Sequence, residues 1–229
     1  MAEAGRDQPE PGCDCEGIDL KFDETYAAEK LETYRNGGAD PSTRALIDAI
    51  TAEDVQGLTL LDIGGGVGAL QHELLERGLS SAQEVEASAA YVAASQSEAE
   101  ARGHADRISH VHGDFASVAD TLAPADVVTL DRSLCCWPDP LGLVDGSARM
   151  ARQLYGLVYP RDTWWVRYGW RSWGNLRQVI KSTDLRLSTP SSAEVEAILK
   201  RHGLYLCRHT TVGVWQIALF AREAPAHHG

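Results

Sequence analysis

Thr59-Leu60-Leu61-Asp62-Ile63 is a short apolar run closed by Gly64-Gly65-Gly66-Val67-Gly68, and Ala69-Leu70-Gln71-His72-Glu73-Leu74-Leu75 follows at once. An apolar run of this length, leading into a helical pattern, reads as a strand buried on both faces inside a parallel sheet. The glycines stand where the chain must turn sharply and let a ligand touch backbone N–H groups. A chain built around this segment is constrained to an open α/β sheet, with its ligand site at the carboxyl edge of the first strand.

The rest of the sequence repeats that alternation. Strands are expected at 58–63, about 82–86, 107–112, 125–131 and 152–159, with helices at 69–78, 88–102 and about 140–150 between them. Such spacing requires crossover connections and a parallel sheet covered on both faces. Helix 191–202 then leads into strands at about 204–209 and 212–221, which meet near Gly213 as a closing antiparallel pair. Ahead of the glycine loop, Asp23 caps a helix through about Arg35 that stops at Gly37-Gly38, and Asp40-Pro41 opens a second helix carrying Leu46, Ile47 and Ile50.

A length of 229 residues with 44% hydrophobic content suits one domain with additions. The net charge of −12 repels phosphates, so nucleic acid is not expected as a partner. No stretch offers 18 consecutive apolar residues, so no membrane span is expected, and the polar, acidic N-terminus lacks the apolar run of a signal peptide. These features predict a cytoplasmic protein with its five cysteines as thiols.

Asp62, Gly64, Gly66 and Gly68 fill all four positions of acid-x-Gly-x-Gly-x-Gly. On that pattern the chain resembles the class I S-adenosylmethionine-dependent methyltransferases, over about residues 40–222. The resemblance implies an α/β fold of Rossmann-like, doubly wound type, with a mostly parallel seven-stranded sheet, an antiparallel closing strand and N-terminal helices. It implies S-adenosylmethionine as cofactor, cradled by Gly64, Gly65, Gly66 and Gly68, with Asp62 meeting the ammonium of its amino-acid end. Gly64-x-Gly66-x-x-Ala69 also fits the fingerprint of a nicotinamide-dependent oxidoreductase. Asp62 opposes that alternative, because a carboxylate two residues before the first glycine would crowd a pyrophosphate. A noncatalytic cofactor binder that docks a partner is the third reading.

In an open parallel sheet the residues after each strand meet the ligand. Glu86 ends the second strand and can accept hydrogen bonds from both ribose hydroxyls, with Glu84 on the same face as its rival. Gly113-Asp114-Phe115 follows the third, where Asp114 can accept from the adenine amino group and Phe115 can lie against the purine. Asp131 ends the fourth strand, placed to orient the cofactor or act as a base, with Arg132 as its ion-pair partner. The Asn/Asp-Pro-Pro-Tyr/Phe motif of base-amino methylation is absent.

The boundaries implied are a tail at 1–18, N-terminal helices at 19–56 forming a substrate wall or lid, a cofactor-binding domain at 57–222 with an insertion at about 160–190, and a tail at 223–229. Tyr26, Cys135, Cys136, Trp137, Arg161 and Trp164 are the candidate substrate residues. Four of the six tryptophans lie at 164–173, and residues 161–181 hold five basic residues and one acid. A cationic aromatic segment suits a large organic anion by stacking and ion pairing, and is also open to contact with a membrane surface or a protein partner. The expected acceptor is a small molecule presenting a carboxylate, hydroxyl or thiol. Methylation of a soft metalloid held by Cys135 and Cys136 is the alternative, although the cysteine spacing fits no zinc signature and no metal site is assigned. Trp137-Pro138 and Tyr159-Pro160-Arg161 further resemble the magnesium-protoporphyrin O-methyltransferase branch, while the Cys135-Cys136 pair departs from it.

Overall fold

The structure, a computed structural model, describes residues 22–162 and 190–222. Trp164, with most of the expected insertion and both expected tails, lies outside the described residues. Helices α1 (Glu24–Gly37) and α2 (Pro41–Thr51) precede β1 (Thr59–Ile63), α3 (Ala69–Glu76), β2 (Ser81–Glu86), α4 (Ala89–Arg102) and β3 (Ile108–His112). A one-turn helix α5 (Phe115–Val118), β4 (Ala125–Asp131), α6 (Pro140–Ala148) and β5 (Ala151–Pro160) follow. The order closes with α7 (Ser192–Arg201), β6 (Tyr205–Val212) and β7 (Trp215–Ala221).

The strands form one seven-stranded sheet in the order β3-β2-β1-β4-β5-β7-β6. β1 to β5 run parallel, and β7 inserts antiparallel between β5 and β6. The expected α/β class, strand count and closing pair are therefore present. Helix starts follow the capping chemistry: Asp23 Oδ1 accepts from Tyr26 N at 2.9 Å, Asp40 Oδ1 from Ser42 N at 3.0 Å, and Ser88 Oγ from Tyr91 N at 3.2 Å. The reading of the sequence had no helix at 115–118 and no 3-10 turn at Leu134–Cys136, because elements this short carry no hydrophobic period.

Apolar cores cover both faces of the sheet. One gathers Leu61, Val128, Leu130, Tyr155 and Phe220 beneath α6 and α7; the other gathers Leu60, Leu74, Val127, Val158 and Leu219 beneath α2 and α3. In the second core Leu46, Ile47 and Ile50 are fully buried, so α2 packs firmly onto that face of the sheet. Gly156 on β5 makes room for them: a Cβ there would stand 2.9 Å from Leu46 Cδ1. This packing brings the start of α2 to the carboxyl ends of β1 and β4, beside the glycine loop.

Candidate active site

The glycine loop is a backbone structure held from two sides. Gly64 N–H donates to Val85 O at 2.7 Å, and Gly66 N–H donates to Glu86 Oε2 at 3.1 Å. Gly64 (φ 76°) and Gly66 (φ 62°) adopt the left-handed conformation that disfavours a Cβ. Their surroundings differ. A Cβ on Gly64 would meet Ser133 Cβ at 2.5 Å, whereas one on Gly66 would meet nothing within 4 Å. Gly64 is thus a packing requirement, and Gly66 presents bare backbone to a cavity of about 620 Å³ that the loop borders.

Below the loop lies a set of buried polar groups. Asp62 is 1% exposed; Thr129 Oγ1 donates to its Oδ1 at 2.7 Å and Gln71 Nε2 to its Oδ2 at 3.2 Å. Burial nevertheless dominates and pushes its carboxyl up to about 7. Glu84 pairs with Asp62 across β1 and β2 and is closed from solvent, with His110 Nε2 3.3 Å from its Oε2. Burial holds Glu84 well above the usual carboxylate range and His110 below the usual imidazole range. A Cβ on Gly65 would meet Gln71 Nε2 at 2.5 Å, Glu84 Oε1 at 2.7 Å and Asp62 Oδ2 at 2.9 Å. The loop therefore rests directly on these side chains. Glu86, at the strand end, borders the cavity while Glu84 lies beneath it. Glu86 Oε1 accepts from Ser88 N at 2.9 Å; burial raises its pKa against the pull of these backbone donors.

Asp131 faces the loop from the end of β4. Its Oδ2 accepts from Thr43 Oγ1 at 2.5 Å and its Oδ1 from Arg132 Nε at 3.2 Å. Arg132 also reaches Thr43 Oγ1 with Nη2 at 3.2 Å and Asp40 Oδ2 with Nη1 at 3.3 Å. Its ion pairing is thus shared between the strand end and α2. Burial raises the Asp131 pKa, opposed by Arg132 and the Thr43 hydroxyl. Arg132 takes φ 58°, unusual for a residue with a side chain, so its surroundings must hold that conformation.

Tyr26, Cys135, Cys136 and Trp137 border the same cavity, as do Gly113 and Phe115. Asp114, between the last two, is not among its lining residues; its Oδ1 accepts from Ala116 N at 3.1 Å and so caps α5. Gly68 likewise serves packing, since a Cβ there would meet Ser95 Oγ at 2.8 Å. Arg161 sits past β5 outside the lining, its N–H donating to Val214 O at 2.9 Å. The sequence reading missed Thr43, Phe22, Tyr91 and Trp215, all at the cavity. Phe22, Tyr26 and Tyr91 form an aromatic cluster with ring centroids 5.5–6.4 Å apart. Tyr91 carried a local signal, being three residues past the Ser88 cap; Thr43 carried none, because its partner is 88 positions away.

Solved structures with this fold include the magnesium protoporphyrin IX methyltransferase ChlM from Synechocystis PCC 6803 with bound S-adenosylhomocysteine. It matches with a TM-score of 0.69 at 18% identity, covering 92% of this chain and 100% of that one. An O-methyltransferase family protein from Burkholderia thailandensis matches with a TM-score of 0.69 at 13% identity, covering 90% of this chain and 62% of that one. A methyltransferase from Haloferax volcanii, solved with the Trm112 activator, matches with a TM-score of 0.65 at 14% identity over 92% and 100% of the two chains. No curated protein matches the sequence significantly. Among the described residues no helix is long and apolar enough to cross a membrane. The O-methyltransferase domain model matches residues 14–142, more than half of the chain, so this protein belongs to the O-methyltransferase domain family and is an S-adenosylmethionine-dependent methyltransferase.

Proposed function

We propose that the protein methylates an oxygen of a small organic anion bound between the glycine loop and the Asp131 end of the cavity. The observation that carries this reading is the convergence of Gly66, Glu86 and Asp131 from three strand ends on one cavity. The residues fit the cofactor. Gly66 leaves open the space a side chain would fill, and Glu86 places a carboxylate where vicinal ribose hydroxyls can donate. Phe115 and Gly113 border the far end, where a flat ring suits a purine face. Asp62 stands beneath the loop to meet an ammonium, and Asp114 contributes to the adenine end through the turn it caps.

When bound, S-adenosylmethionine supplies a methyl group on an activated sulfonium, so the protein's task is alignment and exclusion of water. Tyr26 and Trp137 hold the acceptor against the wall, with the cationic Arg161, just past β5, drawing anions towards the opening. Asp131, oriented by Thr43 and Arg132, takes the proton from an acceptor that arrives as a neutral hydroxyl. A carboxylate acceptor arrives ionised and needs no base. The test is calorimetry with S-adenosylhomocysteine and nicotinamide dinucleotides, followed by transfer of labelled methyl to a panel of small carboxylates and phenols. Binding of the nicotinamide dinucleotides in preference to S-adenosylhomocysteine would overturn the reading.

A further inference from the structure

Cys135 and Cys136 border the cavity and have no part in the chemistry above. They belong to the 3-10 turn Leu134–Cys136, in which successive side chains normally fan out by about a third of a turn. Their sulfurs instead converge to 3.8 Å, well beyond the roughly 2.05 Å of a disulfide. The turn also abuts the cofactor loop, since Ser133 occupies the space beside Gly64, and it is entered through Arg132 in its left-handed conformation.

That separation selects a geometry. Two thiolates bound at about 2.3 Å to one centre at the pyramidal to tetrahedral angles of about 95–110° stand about 3.4–3.8 Å apart, whereas a linear two-coordinate ion needs about 4.6 Å. Among the described residues no group of three or more His, Cys, Asp or Glu is gathered for a metal ion, so a four-ligand zinc site is not formed by them. A monosubstituted trivalent arsenical requires two soft donors, its third position being filled by carbon. We propose that Cys135 and Cys136 form a bidentate dithiol site for such a thiophilic centre, at the acceptor side of the cavity. With an arsenoxide R–As=O, two As–S bonds form while two S–H bonds and the As=O bond break. The two protons and the oxygen leave as water, and arsenic stays trivalent.

The probe is phenylarsine oxide, added to the full chain under phosphine reduction and read by intact mass spectrometry. Because Cys13 and Cys15 are a second closely spaced pair, the experiment uses the Cys13→Ser/Cys15→Ser background. The expected result is one bridged adduct that survives excess monothiol, is removed by ethanedithiol and persists in Cys207→Ser. Adding either Cys135→Ser or Cys136→Ser should abolish it. Cys136 is only half-buried, so Cys136→Ser tests the chelate even where the Cys135 change disturbs folding, which melting of each variant checks. No bridged adduct in the background protein, or an adduct that persists in folded Cys136→Ser, overturns the proposal. Titration of the same samples with S-adenosylhomocysteine reads the methyl-transfer assignment separately.

Discussion

Thr43 Oγ1 donates to Asp131 Oδ2 at 2.5 Å, joining the first turn of α2 to the end of β4 across 88 positions of sequence. On the proposed reading this bond makes the N-terminal helices part of the reaction site, because the hydroxyl, with Arg132, favours the ionised form of a carboxylate whose pKa burial raises. In Thr43→Val the shape is kept and the donor lost. The acid limb of the pH–rate profile should move to higher pH by about 1–2 units, matching the roughly 1.5–3 kcal/mol of a hydrogen bond to a charged group. A profile that does not move would show that Asp131 is not the titrating base.

Asp131→Asn should lower kcat for hydroxyl acceptors by about 100-fold or more, the usual contribution of a positioned base, and affect an ionised carboxylate acceptor far less. Affinity for S-adenosylhomocysteine should stay within a few-fold. Equal loss for both acceptor classes would assign Asp131 to orientation instead.

Gly64 and Gly66 should separate folding from binding. Gly66→Val sends a side chain into the cavity and should abolish S-adenosylhomocysteine binding in calorimetry. The left-handed backbone adds a stability cost of about 1–2 kcal/mol. Gly64→Ala carries that cost and a clash with Ser133 Cβ, so its melting temperature should fall further than that of Gly66→Ala. The reverse order would mean that the loop packs differently from the arrangement described.

Glu86→Ala should weaken cofactor binding by about 1–3 kcal/mol, the cost of lost charge-assisted hydrogen bonds and of freeing the Gly66 N–H it holds. Glu84→Gln should leave binding within a few-fold, because Glu84 lies beneath the loop and outside the cavity lining, and the amide keeps its volume. If Glu84→Gln proves the more damaging change, the acid that serves the cofactor is the one under the loop.

The Asp62 carboxyl links the proposed cofactor site to pH. Its pKa rises from 3.8 to about 7 on folding, so the native state binds the extra proton between about pH 4 and pH 7. Stability attached to this group is present below pH 4 and falls as pH rises to 7, by a few kcal/mol at about 1.4 kcal/mol per unit. Asp62→Asn should flatten urea-derived stability over that window. An ammonium brought beside Asp62 favours its charged form, so S-adenosylhomocysteine binding near pH 6 should release a proton in the wild type and not in Asp62→Asn. Calorimetry in buffers of different ionisation enthalpy measures that release.

Much of this molecule was legible along the chain because its signals are local. The apolar run at 59–63, the glycines after it and the caps Asp23, Asp40 and Ser88 lie within a few residues of what they organise, and Glu86 and Asp131 stand at the ends of strands that apolar runs mark. Hydrophobic period and capping chemistry act over one or two turns, so they place elements and mark the edge where a ligand binds. Tertiary packing alone decided which of these residues meet. Burial of Leu46, Ile47 and Ile50 against Gly156 carries Thr43 to Asp131, and β1–β2 register sets Glu84 beside Asp62 beneath Gly65. Such contacts depend on distance and desolvation between segments far apart in sequence, which no local pattern encodes.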